Sequence, residues 1–317
     1  MKNFARLIYL VFVLVFATSI FGRAQEAASI TGVVTDPTGA VVPNVKVILA
    51  NTTTGVSYKA TSNNLGSYVI TSVAPGPGYK ITFTSDGFQS LTATGLYLNV
   101  SSTRTQNVTL KVGSKTQTVE VSASSQAVTL NTADATVGNN FQVTLVNELP
   151  VQMRDSPTSL FYLQPGVTSA GTVTGSRDDQ TSKTLDGLDV NDMATGQFDA
   201  IAANAPVDSV QEFRGITAGS SSNTGQGGGG HFDMVTKGGT NTFHGNINEY
   251  HRDTAMTANS WFNNNAGIER TPLIRNQFGG NIGGPIKKNK AFFFFDYDGR
   301  RDVSPDSETR TIPTATY

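Results

Sequence analysis

The sequence contains no cysteine, and this absence removes several classes of chemistry. Without thiols there is no disulfide, no thiolate nucleophile and no cysteine-based zinc site. Charge is also scarce, because Asp, Glu, Lys and Arg make up 15% of the residues and the net charge is −1. A chain this close to neutral offers nucleic acid no basic field, so we expect no nucleic-acid partner.

Long hydrophobic runs are missing except near the N-terminus. There a positively charged start precedes the mostly apolar stretch 7–21, which is shorter than the roughly 20 residues of a membrane-spanning helix. Gly22 and Ala24 are the small residues expected before a signal-peptidase cut at Gln25. We therefore predict a signal peptide over 1–24, export of the mature chain and no lipid attachment after the cut.

The residues that are plentiful favour strands and turns. Gly, Thr, Ser, Asn and Val dominate, and these residue types suit strands and tight turns better than helices. The length of 317 residues allows two or three domains. The composition predicts a mainly β protein.

The segment 27–113 predicts a β-sandwich, because seven short strands at regular spacing with Gly/Pro/Asn turns are typical of that fold. The predicted strands are 30–35, 45–51, 57–61, 67–73, 79–85, 95–100 and 106–112.

The turns and aromatic positions of this segment form a recognisable pattern: Gly32-Val-Val-Thr-Asp-Pro-Thr-Gly39, Val42-Pro-Asn-Val-Lys-Val47, Asn64-Leu-Gly-Ser-Tyr68, Gly76-Pro-Gly-Tyr79 and Gly87-Phe88. It resembles the carboxypeptidase regulatory-like domain. The resemblance implies a transthyretin-like sandwich of the carbohydrate-binding-like fold. Sugar binding and a structural or docking role both remain open. The singly placed aromatics suit a core and favour the second role.

The segment 114–135 is polar and contains one short alternating stretch, Thr118, Val119, Glu120 and Val121. It is either a simple linker or a strand offered to the edge of a partner's sheet. Beside the segments that follow, it resembles a TonB box. That resemblance implies that these four residues contact TonB, which acts with its energising partners ExbB and ExbD.

The segment 136–239 predicts an α+β domain. Helices are expected at 140–149 and 156–163, a polar loop at 171–182, and a strand at 207–217. A strand alternates its side chains, so Glu212 and Arg214 would share one face.

Five stretches of this part carry a second resemblance: Asn147-Glu-Leu-Pro150, Leu163-Gln-Pro-Gly-Val167, Leu185-Asp-Gly-Leu-Asp189, Val207-Asp-Ser-Val-Gln-Glu-Phe-Arg214 and Val235-Thr-Lys-Gly-Gly-Thr-Asn241. They resemble the plug domain of TonB-dependent outer-membrane receptors, in the Oar-like branch. The resemblance implies that Glu212 and Arg214 pair with charges on the barrel wall, and the alternative is a surface ion pair. Many relatives have a more apolar strand where this chain has His231-Phe-Asp-Met234, and Asp233 is the residue that departs from the pattern.

The segment 240–317 predicts strands of membrane-spanning length at 242–252, 274–285 and 290–301. Apolar and polar residues alternate along the second and third strands, as a transmembrane barrel requires. The first strand is less regular. The alternative is a water-soluble sheet, in which the run Phe292-Phe-Phe-Phe295 would promote aggregation. With the resemblance, the interpretation is the start of an incomplete outer-membrane β-barrel.

Several patterns for small ligands are present but weak. Gly225, Gly227, Gly228, Gly229 and Gly230 form a tract that fits a G-x-G-x-x-G pattern. No βαβ unit surrounds it, so we interpret it as a turn that allows close backbone approach.

Oxygen-rich side chains cluster between 178 and 199, where calcium is conceivable, but the spacing of a calcium loop is absent. They are Asp178, Asp179, Asp186, Asp189, Asn191, Asp192 and Asp199. The histidines His231, His244 and His251 match no metal motif. No catalytic motif occurs, so we predict no enzyme, no metal and no cofactor.

The leading functional hypothesis is an outer-membrane TonB-dependent receptor that moves an unknown substrate with energy from the inner-membrane proton gradient. Its partners would be TonB with ExbB and ExbD, and outer-membrane lipid. Because 22-stranded barrels are typical of such transporters, we expect the sequence to be the N-terminal part of a longer receptor or a truncated reading frame. The alternative is a secreted carbohydrate-binding or adhesion protein that uses the sandwich.

Overall fold

The computed structural model describes residues 27–113, 118–122, 135–142, 161, 164–168, 172–192, 205–219 and 228–304. The structural statements below concern these residues. Several predictions fall outside them: the signal peptide, the helix expected at 156–163 except Phe161, most of the helix expected at 140–149, Asp199, Gly225 and Gly227.

The chain divides into two compact units, residues 1–237 and residues 238–317. The first unit begins with eight strands that form a β-sandwich. These are β1 (Ala28–Thr35), β2 (Lys46–Asn51), β3 (Ser57–Thr61), β4 (Ser67–Val73), β5 (Gly76–Thr84), β6 (Ser90–Leu98), β7 (Thr103–Thr105) and β8 (Val108–Thr109).

The sandwich has two sheets with one core between them. One sheet has the order β4-β1-β7, with β8 also pairing with β1. The other contains β3-β2-β5-β6 and ends on β9 (Thr118–Ser122), which lies beside β6. Strands of both sheets contribute fully buried side chains, including Ile30, Leu49, Tyr68 and Phe83. Alternation along each strand places one face in this core and leaves the other in solvent.

Tyr68 shows how the core accommodates a polar group. Its ring packs edge-on against Phe83 with a centroid distance of 5.4 Å. Its hydroxyl donates to the backbone oxygen of Gln106 at 2.8 Å. The chain near Gln106 also passes close to Gly32, where an added Cβ would lie 2.1 Å from the same oxygen. Glycine is therefore required at this crossing of β1 by the last segment of the sandwich.

The predicted sandwich strands agree with the structure at most positions, and two of them need correction. The predicted strand 106–112 is replaced by two short strands, β7 and β8, on either side of Gln106 and Asn107. The predicted strand 95–100 begins earlier, at Ser90, because β6 pairs with β5 along that stretch.

The first unit continues with a second, mixed sheet of five strands. These are β10 (Val137–Gln142), β11 (Ser182–Leu185), β12 (Leu188–Asp189), β13 (Val210–Ala218) and β14 (His231–Thr236), in the spatial order β10-β13-β14-β11-β12. Two 3₁₀ turns, Asp178–Gln180 and Val207–Ser209, precede β11 and β13.

One predicted helix is wrong where the structure describes it. Residues 140–142 lie in strand β10, and Phe141 pairs with Phe213 of β13. The two rings stack with centroids 4.6 Å apart. A sheet contact with a distant strand outweighs the weak local helix preference of this stretch.

The second unit is an antiparallel sheet of three strands in sequence order. Its elements are β15 (His244–Asp253), a 3₁₀ turn (Thr254–Met256), helix α1 (Trp261–Asn265), β16 (Ile274–Lys287) and β17 (Ala291–Val303). The Ser260 side chain caps α1 by accepting from the Asn263 amide at 3.1 Å. Within the described ranges, no helix combines the length and apolar character needed to cross a membrane.

Candidate functional site

The mixed sheet has one apolar face and one polar face, and side chains on both faces are buried. On the apolar side, the rings of Phe213 and Phe232 lie 5.1 Å apart in a small core. On the other side the register aligns Arg214 with Asp233 and with Asn140. The buried charged side chains on this side include Glu212 at 0% exposure, and Arg214 and Asp233 each at 4%. Burying charge is costly unless each group has partners, so the partners of these groups determine what the polar face contacts.

Glu212 has its partners in the sandwich and in β10. Its Oε1 accepts from the Val100 amide at 3.3 Å and from the Asn140 amide nitrogen at 3.0 Å. The Asn140 side chain also donates to the Val100 carbonyl at 3.5 Å. One carboxylate oxygen therefore links the β10–β13 pair to the chain that follows β6.

Arg214 completes the same contact. Its guanidinium donates to the carbonyl of Ser101 and, at 2.7 Å, to the Thr136 hydroxyl. We call the group formed by Val100, Ser101, Asn140, Glu212 and Arg214 the Glu212 junction. It joins the sandwich to the mixed sheet through buried, charge-assisted hydrogen bonds, which are stronger than neutral ones.

A second contact lies beside the Glu212 junction. The Gln211 side chain donates to the Pro75 carbonyl at 3.2 Å. At Gly76, which has a φ of 132°, an added Cβ would lie 2.3 Å from the Gln211 Nε2. The glycine thus leaves room for the mixed sheet to approach the sandwich at this point.

Burial dominates the electrostatics of the Glu212 junction. It raises the pKa of Glu212 from 4.5 to about 7, against the lowering effect of hydrogen bonds from Asn140, Val100 and Tyr97 and of the Arg214 charge. Burial also raises the pKa of the Tyr97 hydroxyl, and the Glu212 carboxylate adds to that rise. The carboxyl group therefore changes charge near neutral pH.

The predicted environment of Glu212 and Arg214 needs one correction. A surface ion pair is wrong, because Glu212 is 0% and Arg214 is 4% exposed. The hydrogen-bond partners described above lie in the sandwich and in or just before β10. The pairing of Glu212 and Arg214 with charges on a barrel wall stays a prediction. Sequence reasoning missed Asn140, because it placed that residue in a helix.

The stretch predicted to contact TonB forms an edge strand. Strand β9 pairs in parallel with β6, with Thr118 opposite Ser90, Val119 opposite Leu91, Glu120 opposite Thr92 and Val121 opposite Ala93. Because β9 ends the strand order of its sheet, it has a strand neighbour on one side only among the described residues.

The described end of the glycine tract lies in crowded surroundings. A Cβ at Gly229 would lie 2.9 Å from the Gln180 carbonyl oxygen, and one at Gly230 would lie 2.8 Å from that of Ile216. Gly228 has open space around it. The backbone of 229–230 thus approaches its neighbours as closely as residues without side chains permit.

The acidic cluster has contacts within the protein. The Asp179 carboxylate pairs with Arg177 at 2.8 Å. The Asp186 carboxylate accepts from the Thr236 amide at 2.9 Å and from its hydroxyl at 2.7 Å. In the described part of the chain, no group of three or more His, Cys, Asp or Glu side chains is arranged to hold a metal ion.

The three-stranded sheet places most of its apolar side chains on one side and most of its polar side chains on the other. Ile282 pairs with Phe295, and these side chains are 49% and 60% exposed. The neighbouring positions pair Asn281 with Asp296. The residues that the sequence placed on the apolar face are Ile274, Phe278, Ile282, Ala291, Phe293, Phe295 and Tyr297, and those placed opposite are Arg275, Gln277, Asn281, Phe292, Phe294, Asp296 and Asp298.

Charged groups on the polar side interact with each other. Arg275 contacts Asp302 through two hydrogen bonds of 3.0 and 3.1 Å. Strand β15 mixes polar and apolar side chains on one face, as predicted for the less regular first strand. Glu249 and His251 share a face with Ile247, which is 94% exposed. These two polar residues lie toward the end of β15 from which the long connection 254–273 leaves.

Comparison with known proteins gives two family matches. Residues 29–111 match the carboxypeptidase regulatory-like domain, and residues 235–317 match an outer membrane beta barrel domain. The TonB-dependent transporter Oar of Myxococcus xanthus is 26% identical over 300 residues, which is 89% of this chain and 28% of that protein. The chain therefore spans less than a third of the length of this relative.

Among solved structures, the siderophore receptor PirA of Acinetobacter baumannii superposes with a TM-score of 0.39 and 18% identity, over 53% of this chain and 24% of that one. The 3-chlorocatechol 1,2-dioxygenase of Rhodococcus opacus 1CP gives a TM-score of 0.23 with 13% identity, over 28% of this chain and 61% of that one. TM-scores this low do not establish a shared fold. The family matches and the transporter relative confirm the resemblance to Oar-like TonB-dependent receptors that carry an N-terminal carboxypeptidase regulatory-like domain.

The substitution Glu212→Gln tests the electrostatics of the Glu212 junction. The folded pKa of about 7 lies above the ordinary value of 4.5, so the folded state binds the proton more tightly. This tighter proton binding stabilises the folded state fully below pH 4.5, and the stabilisation is lost as pH rises through 7. We expect Glu212→Gln to become progressively more stable than wild type between pH 5 and pH 8, by up to on the order of 3 kcal/mol.

Urea unfolding of the full chain at several pH values, followed through the transition of the first unit, measures the difference in unfolding free energy between the variant and wild type. The matched control is Glu249→Gln, which removes an exposed carboxylate in the second unit. A stability difference that does not change with pH, or a Glu212→Gln protein less stable than wild type at pH 8, would contradict the assignment.

Proposed function

We propose that this chain, a relative of the Oar-like TonB-dependent outer-membrane receptors, supplies the periplasmic sandwich, the plug and the first wall strands of such a receptor. The receptor would move a substrate across the outer membrane with energy from the inner-membrane proton gradient. As domains we propose the sandwich over 27–113, a linker with the TonB contact over 114–135, the plug over 136–239 and the wall over 240–317. The chain spans 28% of the transporter relative. We therefore propose transport as an activity of the whole receptor, to which this chain contributes.

The observation that carries the proposal is the separation of side chains in the three-stranded sheet. The pairs Ile282–Phe295 and Gly280–Tyr297 lie on one side, and Asn281–Asp296 and Gly279–Asp298 on the other. A water-soluble sheet gains nothing by exposing Phe295 and Tyr297 at 60% and 54%. A wall with lipid on one side and a polar lumen on the other requires this separation.

The connections of this sheet fit a membrane orientation. The turn between β16 and β17 spans only residues 288–290, whereas 254–273 separates β15 from β16. Outer-membrane barrels have short periplasmic turns and longer extracellular loops. The end of the sheet that carries Asp253 and Ile274 would therefore face outside.

The mixed sheet supports the proposed plug. Its polar face holds Glu212, Arg214, His231 and Asp233, all buried within the first unit. Inside a receptor, the polar lumen wall would provide charges for such a face. The predicted pairing of Glu212 and Arg214 with that wall would require the Glu212 junction to exchange its sandwich partners for wall partners.

Energy would reach the plug through strand β9. We assign the contact with TonB to Thr118, Val119, Glu120 and Val121, through backbone hydrogen bonds of the kind made in β-augmentation. TonB would transmit force from the ExbB and ExbD complex to the linker that continues into the plug.

For the sandwich we propose a structural and docking role. Its six aromatic side chains are buried or partly buried, so the described surface has no row of exposed rings for a sugar to stack on. They are Tyr58, Tyr68, Tyr79, Phe83, Phe88 and Tyr97. The alternative of a secreted carbohydrate-binding protein predicts a soluble product retained on glycans, whereas the receptor predicts recovery in the Sarkosyl-insoluble outer membrane.

A charge on the proposed lipid side tests the wall directly. We expect Phe295→Arg to lower the fraction of chain recovered in the outer membrane, since arginine at the bilayer midplane costs about 2–4 kcal/mol. The matched control is Phe294→Arg, which places the same charge on the opposite side of the same strand. Equal losses for the two variants would count against a lipid-facing Phe295.

A proline in β9 tests the TonB contact. We expect Val119→Pro to abolish retention of the TonB C-terminal domain in a pull-down, because proline removes a backbone donor from the pairing strand. Val119→Ala is the control, since it keeps the amide and should retain most of the binding. Undiminished retention by the proline variant would show that this strand is not the contact.

A further inference from the structure

Strand β9 is built into the sandwich, although it follows the eight strands that make the sandwich core. It lies parallel to β6 in a continuous register, from Ser90 opposite Thr118 to Thr94 opposite Ser122. The other side of β6 is occupied by β5. The stretch proposed to receive TonB is therefore already extended and already part of a sheet.

One side of β9 has no strand neighbour in the described part of the chain. It ends the order β3-β2-β5-β6-β9, so the described residues place no strand beyond it. Successive backbone groups of a strand point to alternate sides, and those directed away from β6 form an edge. Such an edge is the feature that β-augmentation uses.

The sandwich also reduces the entropic cost of binding. Fixing the backbone of a free residue costs conformational entropy, and β9 contains five residues. A partner that adds to an extended strand avoids most of that ordering cost, as pre-organised binding sites do in general. Parallel pairing along β6 supplies the pre-organisation.

We propose that the sandwich is a docking platform for TonB: a TonB strand adds to the outer edge of β9 and extends the five-stranded sheet to six strands, while β9 stays paired with β6. This inference rests on the proposed function, because it takes TonB as the partner. It differs from a model in which TonB pulls a free linker segment away from the sandwich before binding it.

An engineered disulfide distinguishes these two models, and the natural chain has no cysteine to interfere. The test variant is Thr94→Cys with Ser122→Cys, which are Cα partners in the register. Neighbouring strands lie roughly 4.8 Å apart, within the Cα separation that a disulfide spans. The control is Thr92→Cys with Ser122→Cys, two residues out of register and about 8 Å apart by strand geometry, which is too far to bridge.

The first measurement is disulfide yield in the full chain purified in detergent, read by mass spectrometry of the linked peptide. We expect efficient oxidation of Thr94→Cys/Ser122→Cys and little of Thr92→Cys/Ser122→Cys. Equal or negligible yields in both variants would overturn the docking of β9 on β6. This readout does not involve TonB.

The second measurement is the Kd of the TonB C-terminal domain for the oxidised and the reduced test variant. Addition to the outer edge predicts values within about twofold of each other, because the locked pair leaves that edge open. A tenfold or greater loss on oxidation that reduction reverses would overturn the proposal in favour of displacement. If the cysteine-free parent does not bind TonB either, the proposed function fails, while the disulfide yield still decides whether β9 docks on the sandwich.

Discussion

Every strand of this protein must find partners for its backbone N–H and C=O groups, and the arrangement of its sheets follows from that requirement. In the sandwich, β6 would present an open edge to water if β9 did not cover it. In the mixed sheet, β13 lies between β10 and β14 and is paired on both sides. In the three-stranded sheet, β15 and β17 each pair with β16 alone among the strands that the structure describes. Open edges of this kind attract further strands, whether from the same chain or from a partner.

Side-chain chemistry then determines what each sheet can face. The sandwich alternates apolar and exposed positions and encloses a single core. The mixed sheet buries apolar rings on one side and Glu212 with Arg214 on the other, so it needs a polar partner, which the turn at Val100 and Ser101 provides. The three-stranded sheet exposes Ile282 and Phe295 at 49% and 60%, which suits an apolar environment.

Local sequence patterns predicted the strands well where alternation and turn residues agree, as along β3, β4 and β16. The paired positions Ile282 and Phe295 could be assigned to one side from period-two alternation alone. Local patterns failed for Asn140, because the short apolar stretch around it also fits a helix and its strand depends on a contact with Arg214, 74 residues away. The Glu212 junction was unpredictable for the same reason, since the hydrogen bond between Val100 and Glu212 spans 112 residues.

The proposed TonB contact is a strand of the sandwich before TonB arrives. Hydrogen–deuterium exchange of the amides in 118–122 of the full chain tests it most directly. We expect slow exchange at the amides bonded to β6 in the absence of TonB, and additional slow amides within the same five residues when the TonB C-terminal domain is added. Exchange at the rate of an unstructured peptide in the absence of TonB would contradict it.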